Sequence, residues 1–413
     1  MIRSTLARAL AALVALAAPA ATAEEAAPDA VPELSRVLSM ARERAPSIAR
    51  ARGETRVARA GYEGARLSQL TNPYLEVQAQ HGRGGATRDV QVQASLWVPV
   101  EVSGQRGRRI AEVDAHVALA DEALAAVRAS AMADAVRAYG EVATGEARVK
   151  ALEAAVTVSK EQAHIFEERV AVHDSTVADL HLANLEVARN TVELIEARAD
   201  LSRALAELAR ATGVAEYRPT EGLSLRPPAA PQRGPQIERA LAGSPMVTVL
   251  DREAIYFSRV RDRQAREAQV PLNLILIGGR GDLGETRLGL GMSWTLPTFR
   301  VNQTERARAE ADRLRAVSER DARRRSIEAS LRGISAQRAE LGKAIEVMSG
   351  AGVRAAEESV EAAAALHRAG KGEVLRVFSA RRDLVHARTR VAELALKEWQ
   401  LAADAVLLTG EAP

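Results

Sequence analysis

Cysteine is absent from the 413-residue sequence, and aromatic side chains are scarce. Without a thiol the chain forms no disulfide framework, thiolate metal site or cysteine nucleophile, and it offers no cysteine for N-terminal lipidation. Phe, Tyr and Trp together make up 3% of the residues, too few for an ordinary globular core of this size. Hydrophobic residues nevertheless reach 47%, many of them Ala, Val and Leu, and this mixture is typical of long helices and coiled coils.

The first 23 residues have the pattern of a secretory signal peptide. Arg3 and Arg8 supply a basic start, an apolar run follows, and Ala21-Thr22-Ala23 fits a cleavage site. A membrane anchor is the less favoured alternative, because the apolar run is short and rich in alanine. Cleavage removes two arginines and no acid, which lowers the formal net charge from +3 to +1. So neutral a chain is a poor candidate for nucleic-acid binding.

An internal duplication follows the signal peptide and a short N-terminal linker, residues 24–33. Five landmarks recur 197–199 residues later in the chain: Pro46, Pro73, Trp97, Pro99 and Thr212-Gly213 return as Pro245, Pro271, Trp294, Pro297 and Thr409-Gly410. We therefore predict two repeats, residues 34–213 and 236–413. Residues 214–235 contain five prolines and are expected to form a linker with little regular structure.

Each repeat is predicted to contain the same order of elements. A helix (about 34–70 or 236–268) precedes two strands, and a long proline-free helix (about 104–171 or 301–367) precedes a final helix. Apolar residues at every second position predict the strands, which cover about 74–81, 89–98, 272–279 and 286–296. A heptad pattern of apolar residues from Ile327 to Met348 predicts coiled-coil packing of the second long helix. No apolar run after the signal peptide is long enough for a transmembrane helix.

Two hairpins per chain cannot close a barrel, and isolated hairpins are marginally stable in water. An oligomeric β-barrel to which each protomer gives four strands would satisfy every backbone group, and the strands are long enough to cross a bilayer. Tyr74, Trp97 and Trp294 lie at strand ends and are predicted to form an aromatic girdle at the membrane interface. The alternative is a soluble pair of hairpins packed on the helices.

The sequence resembles the TolC family of outer-membrane factors over residues 34–410. Four stretches carry the resemblance: NPYLEVQAQ (72–80), LWVPVEVSGQRGRRIAEVDA (96–115), LGMSWTLPTFRVNQTERARAEAD (290–312) and AGKGEVL (369–375). The run from Val100 to Arg106 is similar to the Glu-Leu-Gly-Gly-Lys-Arg stretch of the cobalt–zinc–cadmium resistance branch.

This resemblance implies a mainly α-helical fold with a small β-barrel contribution. A duplicated helix–hairpin–long helix–helix unit would assemble as a homotrimer, with a twelve-stranded β-barrel in outer-membrane lipid above an α-helical barrel. Such a channel is no enzyme and has no cofactor. It passively conducts substrate received from an inner-membrane RND-type pump and a periplasmic adaptor. Heavy-metal cations are the expected cargo; drugs or a secreted polypeptide are alternatives, and a soluble periplasmic coiled-coil scaffold or adaptor is the alternative of another class.

The resemblance also implies that the long helices turn back at a periplasmic tip, where they contact the adaptor. The residues of these two turns are His173, Asp174, Ser175, Thr176, Arg368, Gly370, Lys371 and Gly372. Ser175 or Thr176 is a candidate N-cap of the returning helix. Asp179 and Glu373 follow the turns at matching places and are expected to ring the tunnel mouth. The alternative for both acids is a purely local role at a helix N-terminus.

Other sequence patterns of catalysis or cofactor binding are weak. Gly279, Gly281 and Gly284 match a dinucleotide-binding pattern, but the glycines lead into a strand rather than a helix. The seven histidines form no HExxH motif and no close pair on one helical face. We therefore expect no metal site in the protein itself.

Overall fold

The structure is a computed structural model. It describes residues 29–84, 87–220, 222–228, 234–269, 271–280, 285–369 and 371–413. The predicted signal peptide, residues 1–23, lies outside the described residues.

Both halves of the chain contain the predicted order of elements, which confirms the duplicated and mainly α-helical fold. The first half consists of β1 (Asp29–Ala30), α1 (Leu34–Arg44), α2 (Pro46–Ala65), β2 (Tyr74–Gly84), β3 (Thr87–Val100), α3 (Gln105–Ala171) and α4 (Val177–Thr212). The second half consists of β4 (Tyr217–Arg218), α5 (Gly234–Gly243), α6 (Pro245–Glu267), β5 (Leu272–Arg280), β6 (Thr286–Ser293), α7 (Gln303–Val347), a π-helical turn (Met348–Gly352), α8 (Val353–Arg368) and α9 (Val374–Thr409).

The first helix of each repeat is two helices rather than the single one that was predicted. The break falls at Ala45 and at Ser244, each of which precedes a proline and has an extended ψ of 140° or 119°. Proline disfavours the α conformation of the residue before it and fits the first position of a new helix. The same two prolines that revealed the duplication therefore also place the two breaks.

The second long helix is interrupted, whereas the sequence predicted a continuous one. The heptad pattern ends at Met348, where a π-helical turn begins and runs to Gly352. A π turn holds one more residue than an α turn and so changes the helical phase of the residues after it. Small residues fill it (Ser349, Gly350 and Ala351), and the helix resumes at Val353.

The four long strands form one antiparallel sheet in the order β2-β3-β5-β6. Its central pairing joins the two repeats, since Val92–Val100 of β3 lie opposite Leu272–Arg280 of β5. A separate two-stranded parallel sheet pairs β1 with β4. The chain upstream of the first repeat is thereby attached to the predicted linker.

The largest apolar core lies where α1, α3, α4 and α9 meet around Trp399, which is 1% exposed. The Trp399 indole N–H donates a 3.0 Å hydrogen bond to the Leu225 carbonyl, so the linker is bound to the helices rather than free. Both returning helices end at a glycine with positive φ, 70° at Gly213 and 72° at Gly410. Each glycine packs against the helix break of its own repeat, at Arg44 or Pro245.

Candidate functional site

The sheet has one apolar and one polar face, and cross-strand register extends each face over all four strands. The apolar face carries Leu75, Val77, Val92, Ala94, Leu274, Leu276, Leu288, Leu290 and Met292. Leu288 and Leu290 are each 85% exposed in the single chain. The opposite face carries Glu76, Gln78, Gln80, Gln91, Gln93 and Ser95, with Ile275 and Ile277 beside Gly291 and Gly289. A sheet with this division suits a lipid phase on one side and water on the other.

Tyr74 and Trp97 lie at the helix-side ends of β2 and β3, and their place in an aromatic girdle stays a prediction. They are direct cross-strand partners, and their rings stack at a centroid distance of 5.5 Å. Alternation along each strand puts them on the face of Glu76 and Ser95. Trp294 follows the last residue of β6, has the same parity as Met292 and is 60% exposed. Trp294 therefore continues the apolar face of the sheet beyond β6.

A buried ion pair fixes the chain where β3 meets α3. The Arg109 guanidinium donates to both oxygens of Glu101 at 2.9 Å and to the Leu67 carbonyl at 3.0 Å. The two charged side chains are only 6% and 7% exposed. Glu101 also accepts from the Leu70 amide at 3.3 Å, so the pair joins the segment after α2 to the start of the long helix.

The second repeat builds the same junction with related chemistry. Gly104 and Asn302, 198 residues apart, precede the two long helices with φ of 74° and 54°. Gln105 and Gln303 follow them, and each side-chain oxygen accepts from the backbone N–H two residues earlier, at 3.0 and 3.1 Å. These two glutamines were not among the predicted site residues, although the offset that relates the prolines also relates them.

The first tip turn is held by a capping box. Thr176 is the N-cap of α4: its hydroxyl oxygen accepts from the Asp179 amide at 3.2 Å, and Asp179 accepts from the Thr176 amide at 3.2 Å. Hydroxyls of Thr176 and Ser175 also donate to the Asp179 carboxylate, at 2.7 and 3.1 Å. These hydrogen bonds, with the one from Thr176 the strongest, hold the pKa of Asp179 below its ordinary value. His173 takes the left-handed conformation, φ 62°, that glycine usually supplies.

The second tip turn is closed by other contacts. The Lys371 amide donates to the Leu366 carbonyl at 3.0 Å, and His367 Nδ1 lies 3.2 Å from the Gly372 carbonyl. A Cβ at position 372 would lie 3.1 Å from that of Leu366, so the close approach favours glycine. Gly370 lies outside the described residues. Arg368 and Lys371 are exposed.

The two predicted tunnel-mouth acids differ in position. Asp179 is the third residue of α4, and its carboxylate accepts the hydrogen bonds of the capping box. Glu373 is the N-cap residue of α9, is exposed, and makes no capping hydrogen bond. The structure therefore does not give the acids equivalent places. Behind both turns lies a small core formed by Phe166, Ala183, Val374 and Phe378, which joins the two helical hairpins at this end.

Within the described residues, no three His, Asp or Glu side chains lie close enough together to hold a metal ion. Over the same part of the chain, no helix is both long and apolar enough to cross a membrane.

Comparison with known proteins agrees with this architecture. The outer membrane efflux protein family matches residues 37–214 and 260–408. A cobalt-zinc-cadmium resistance protein, CzcC of Cupriavidus metallidurans, is 28% identical over 330 residues, which cover 78% of this chain and 77% of that protein.

Solved structures of membrane proteins have the same fold. The outer membrane protein VceC of Vibrio cholerae superposes with a TM-score of 0.69 at 17% identity, over 92% of this chain and 97% of that one. A membrane protein from Pseudomonas aeruginosa gives a TM-score of 0.74 at 18% identity, over 91% and 92% of the two chains. With the duplicated fold, the two-faced sheet and the family match over most of its length, the chain belongs to the outer membrane efflux protein family, whose members are channels rather than enzymes.

Proposed function

We propose that this protein is the outer-membrane channel of a tripartite efflux system for heavy-metal cations. The observation that carries the proposal is the sheet with one exposed apolar face and one polar face, joined directly to long helices. A channel of this kind needs no catalytic site, because the inner-membrane pump supplies the energy for transport. Similarity to the cobalt-zinc-cadmium resistance protein and the run from Val100 to Arg106 support metal as the cargo.

The assembly proposed is a homotrimer of mature chains that begin after residue 23. Each protomer would give four strands to a twelve-stranded barrel in outer-membrane lipid, and the long helices would extend into the periplasm. At 1.5 Å per residue, the 67 residues of α3 span about 100 Å, which is comparable to the depth of a periplasm. Residues 24–33 would then form an N-terminal linker before the first repeat, 34–213, and residues 214–235 an equatorial linker between it and the second repeat, 236–413.

Both tip turns are proposed to contact the periplasmic adaptor, which in turn contacts an RND-type pump.

Glu373 is the better candidate for an acid at the tunnel mouth, because its carboxylate is exposed and makes no helix-capping hydrogen bond. We expect Glu373→Gln to weaken block of the single-channel current by divalent cations added on the tip side. Asp179→Asn is the matched control and should change stability rather than block. Equal effects of the two substitutions on block would contradict this assignment.

The channel proposal is tested by fractionating cells that express the full chain and running outer membranes on unheated and heated gels. We expect an outer-membrane band whose mass is about three times that of one mature chain. The full chain, with its signal peptide, has a mass of 44.2 kDa. Heating should convert this band to the monomer. A soluble periplasmic monomer would contradict the channel and favour the coiled-coil scaffold.

Cargo is tested in a strain that carries the cognate pump and adaptor but lacks this channel. Expression of the chain should restore resistance to Co²⁺, Zn²⁺ and Cd²⁺, measured as growth inhibition. If the chain restores resistance to drugs but not to metals, the proposed metal cargo is wrong, while the proposal of an efflux channel stands.

A further inference from the structure

An arginine lies almost fully buried where α5, α7 and α9 meet. The Arg338 side chain is 4% exposed. Its Nη2 donates to the Pro228 carbonyl at 2.9 Å, while Nε and Nη1 are buried without a hydrogen-bond partner among the described residues. Buried guanidinium N–H groups without an acceptor are costly, and a native structure normally supplies one.

The acid that is ion-paired with Arg338 does not supply the missing acceptor. Glu398 is 3.9 Å from Arg338 Nη2, but both of its oxygens already accept from Arg226, at 2.9 and 3.2 Å. The negative charge of Glu346, which is exposed, also raises the pKa of Arg226. Burial lowers the pKa of Arg338, an effect that Glu398 opposes and Arg226 reinforces.

Arg338 lines a cavity of about 80 Å³ whose other walls are mainly apolar, among them Leu331, Ile334 and Val406. Its charged lining side chains are those of Arg338 and Glu411. The volume exceeds what one water needs. The apolar walls suit a singly charged group on a short aliphatic stem better than a phosphate, which would need more donors.

We propose that this cavity is a carboxylate-binding site in which Arg338 holds the carboxylate through its unpartnered N–H groups. Two sources fit the chemistry. One is Glu411, which is exposed at the cavity and follows the left-handed turn at Gly410; its amide donates to the Thr409 hydroxyl at 3.2 Å. The other is a small aliphatic acid from solution. In either case the carboxylate would strengthen the junction between α7, α9 and the linker at Pro228.

The test uses the full-length protein purified in detergent, with sodium propionate exchanged for sodium chloride at constant ionic strength. The readout is the thermal midpoint of unfolding, which rises with the concentration of any ligand that binds the folded state. Glu411→Gln, Glu411→Asp, Arg338→Met and Arg338→Lys are compared with the unchanged protein.

If Glu411 is the source, Glu411→Gln lowers the midpoint and gains a rise with propionate that the unchanged protein lacks, while Glu411→Asp stays closer to the unchanged protein. If a solution acid is the source, the unchanged protein and Glu411→Gln respond to propionate alike. In the first case Arg338→Met combined with Glu411→Gln abolishes the rise, and in the second case Arg338→Met alone abolishes it. Arg338→Lys, which keeps the charge but has fewer donors, weakens the rise in the same backgrounds. The proposal is overturned if Glu411→Gln unfolds at the same temperature as the unchanged protein and propionate shifts neither. Since these two proteins keep Arg338, this outcome does not depend on whether Arg338→Met folds.

Discussion

At the scale of single residues, the tightest constraint in the helical body is the approach of α3 to α9. Gly140 is buried in α3 and faces Trp399, the largest fully buried side chain. A Cβ on Gly140 would lie 2.4 Å from the Trp399 Cβ, closer than two non-bonded carbon atoms can come. Glycine is therefore required here for space rather than for backbone freedom, since the helix is regular on both sides.

Gly140→Ala should lower the free energy of unfolding by about 1–3 kcal/mol, the usual cost of overpacking a core. Gly53→Ala is the matched control: Gly53 also lies inside a helix, but a Cβ there meets nothing within 4 Å. Alanine at position 53 should stabilise the helix by about 0.5–1 kcal/mol. Denaturant or thermal unfolding of the two purified variants measures the difference, and effects of the same sign would contradict the contact.

The capping box at the first tip turn predicts a pH dependence. Because the folded-state pKa of Asp179 lies below its ordinary value of 3.8, its stabilisation is fully present above pH 3.8 and is lost as the pH falls through the folded-state pKa. Asp179→Asn should therefore cost about 0.3–1 kcal/mol at pH 7, as for other acids in the first turn of a helix, and progressively less below pH 3.8.

The measurement is the thermal midpoint of both proteins between pH 7 and pH 3. Asp174→Asn, in the same turn, is the control. The Asp174 side chain is 70% exposed and its nearest cation, Arg169, is 3.8 Å away, so little change is expected. A constant difference between Asp179→Asn and the unchanged protein across this range would contradict the role of the charged carboxylate.

At the scale of elements, local patterns predicted the strands, the long helices and the duplication, because alternation, proline and glycine act on the nearby backbone. Alternation likewise places Tyr74 and Trp97 on the face of Glu76 and Ser95, and their role at a membrane interface stays a prediction. The Glu101–Arg109 pair and the cavity at Arg338 left no such signal, since only the fold brings their partners together.

The face assignment of the strands predicts how the three tryptophans respond to lipid. Trp294 continues the apolar face, Trp97 lies on the polar face, and Trp399 is buried in the helical core. In single-tryptophan variants reconstituted into bilayers, brominated lipid should quench Trp294 fluorescence and leave the other two nearly unchanged. The other two tryptophans are replaced by Phe in each variant, and the variant that keeps Trp399 is the unquenched control. Quenching of Trp97 equal to that of Trp294 would contradict the register.

At the scale of the whole molecule, a single chain leaves its sheet incomplete. Strands β2 and β6 are the two edges, and the apolar face between them is exposed, with Leu290 85% exposed. Open edges and apolar faces promote aggregation in water. If protomers pair edge to edge within a bilayer, barrel closure removes the open edges and lipid covers the apolar face. The helical body, which has its own core around Trp399, does not depend on this step.

A charge on the apolar face should therefore disturb assembly in the membrane and spare the helices. Leu290 lies in the middle of β6, and Leu290→Arg should cost about 2–4 kcal/mol per protomer if it faces the bilayer midplane. Gln93→Arg adds the same charge to the polar face of β3 and should cost little. We expect Leu290→Arg to reduce the heat-sensitive oligomer band in outer membranes, with the Gln93→Arg band unchanged. Helical content by circular dichroism should be the same in both variants. Equal tolerance of the two arginines would mean that both faces meet water, as in a soluble hairpin, and the sheet would then have to pack outside the membrane.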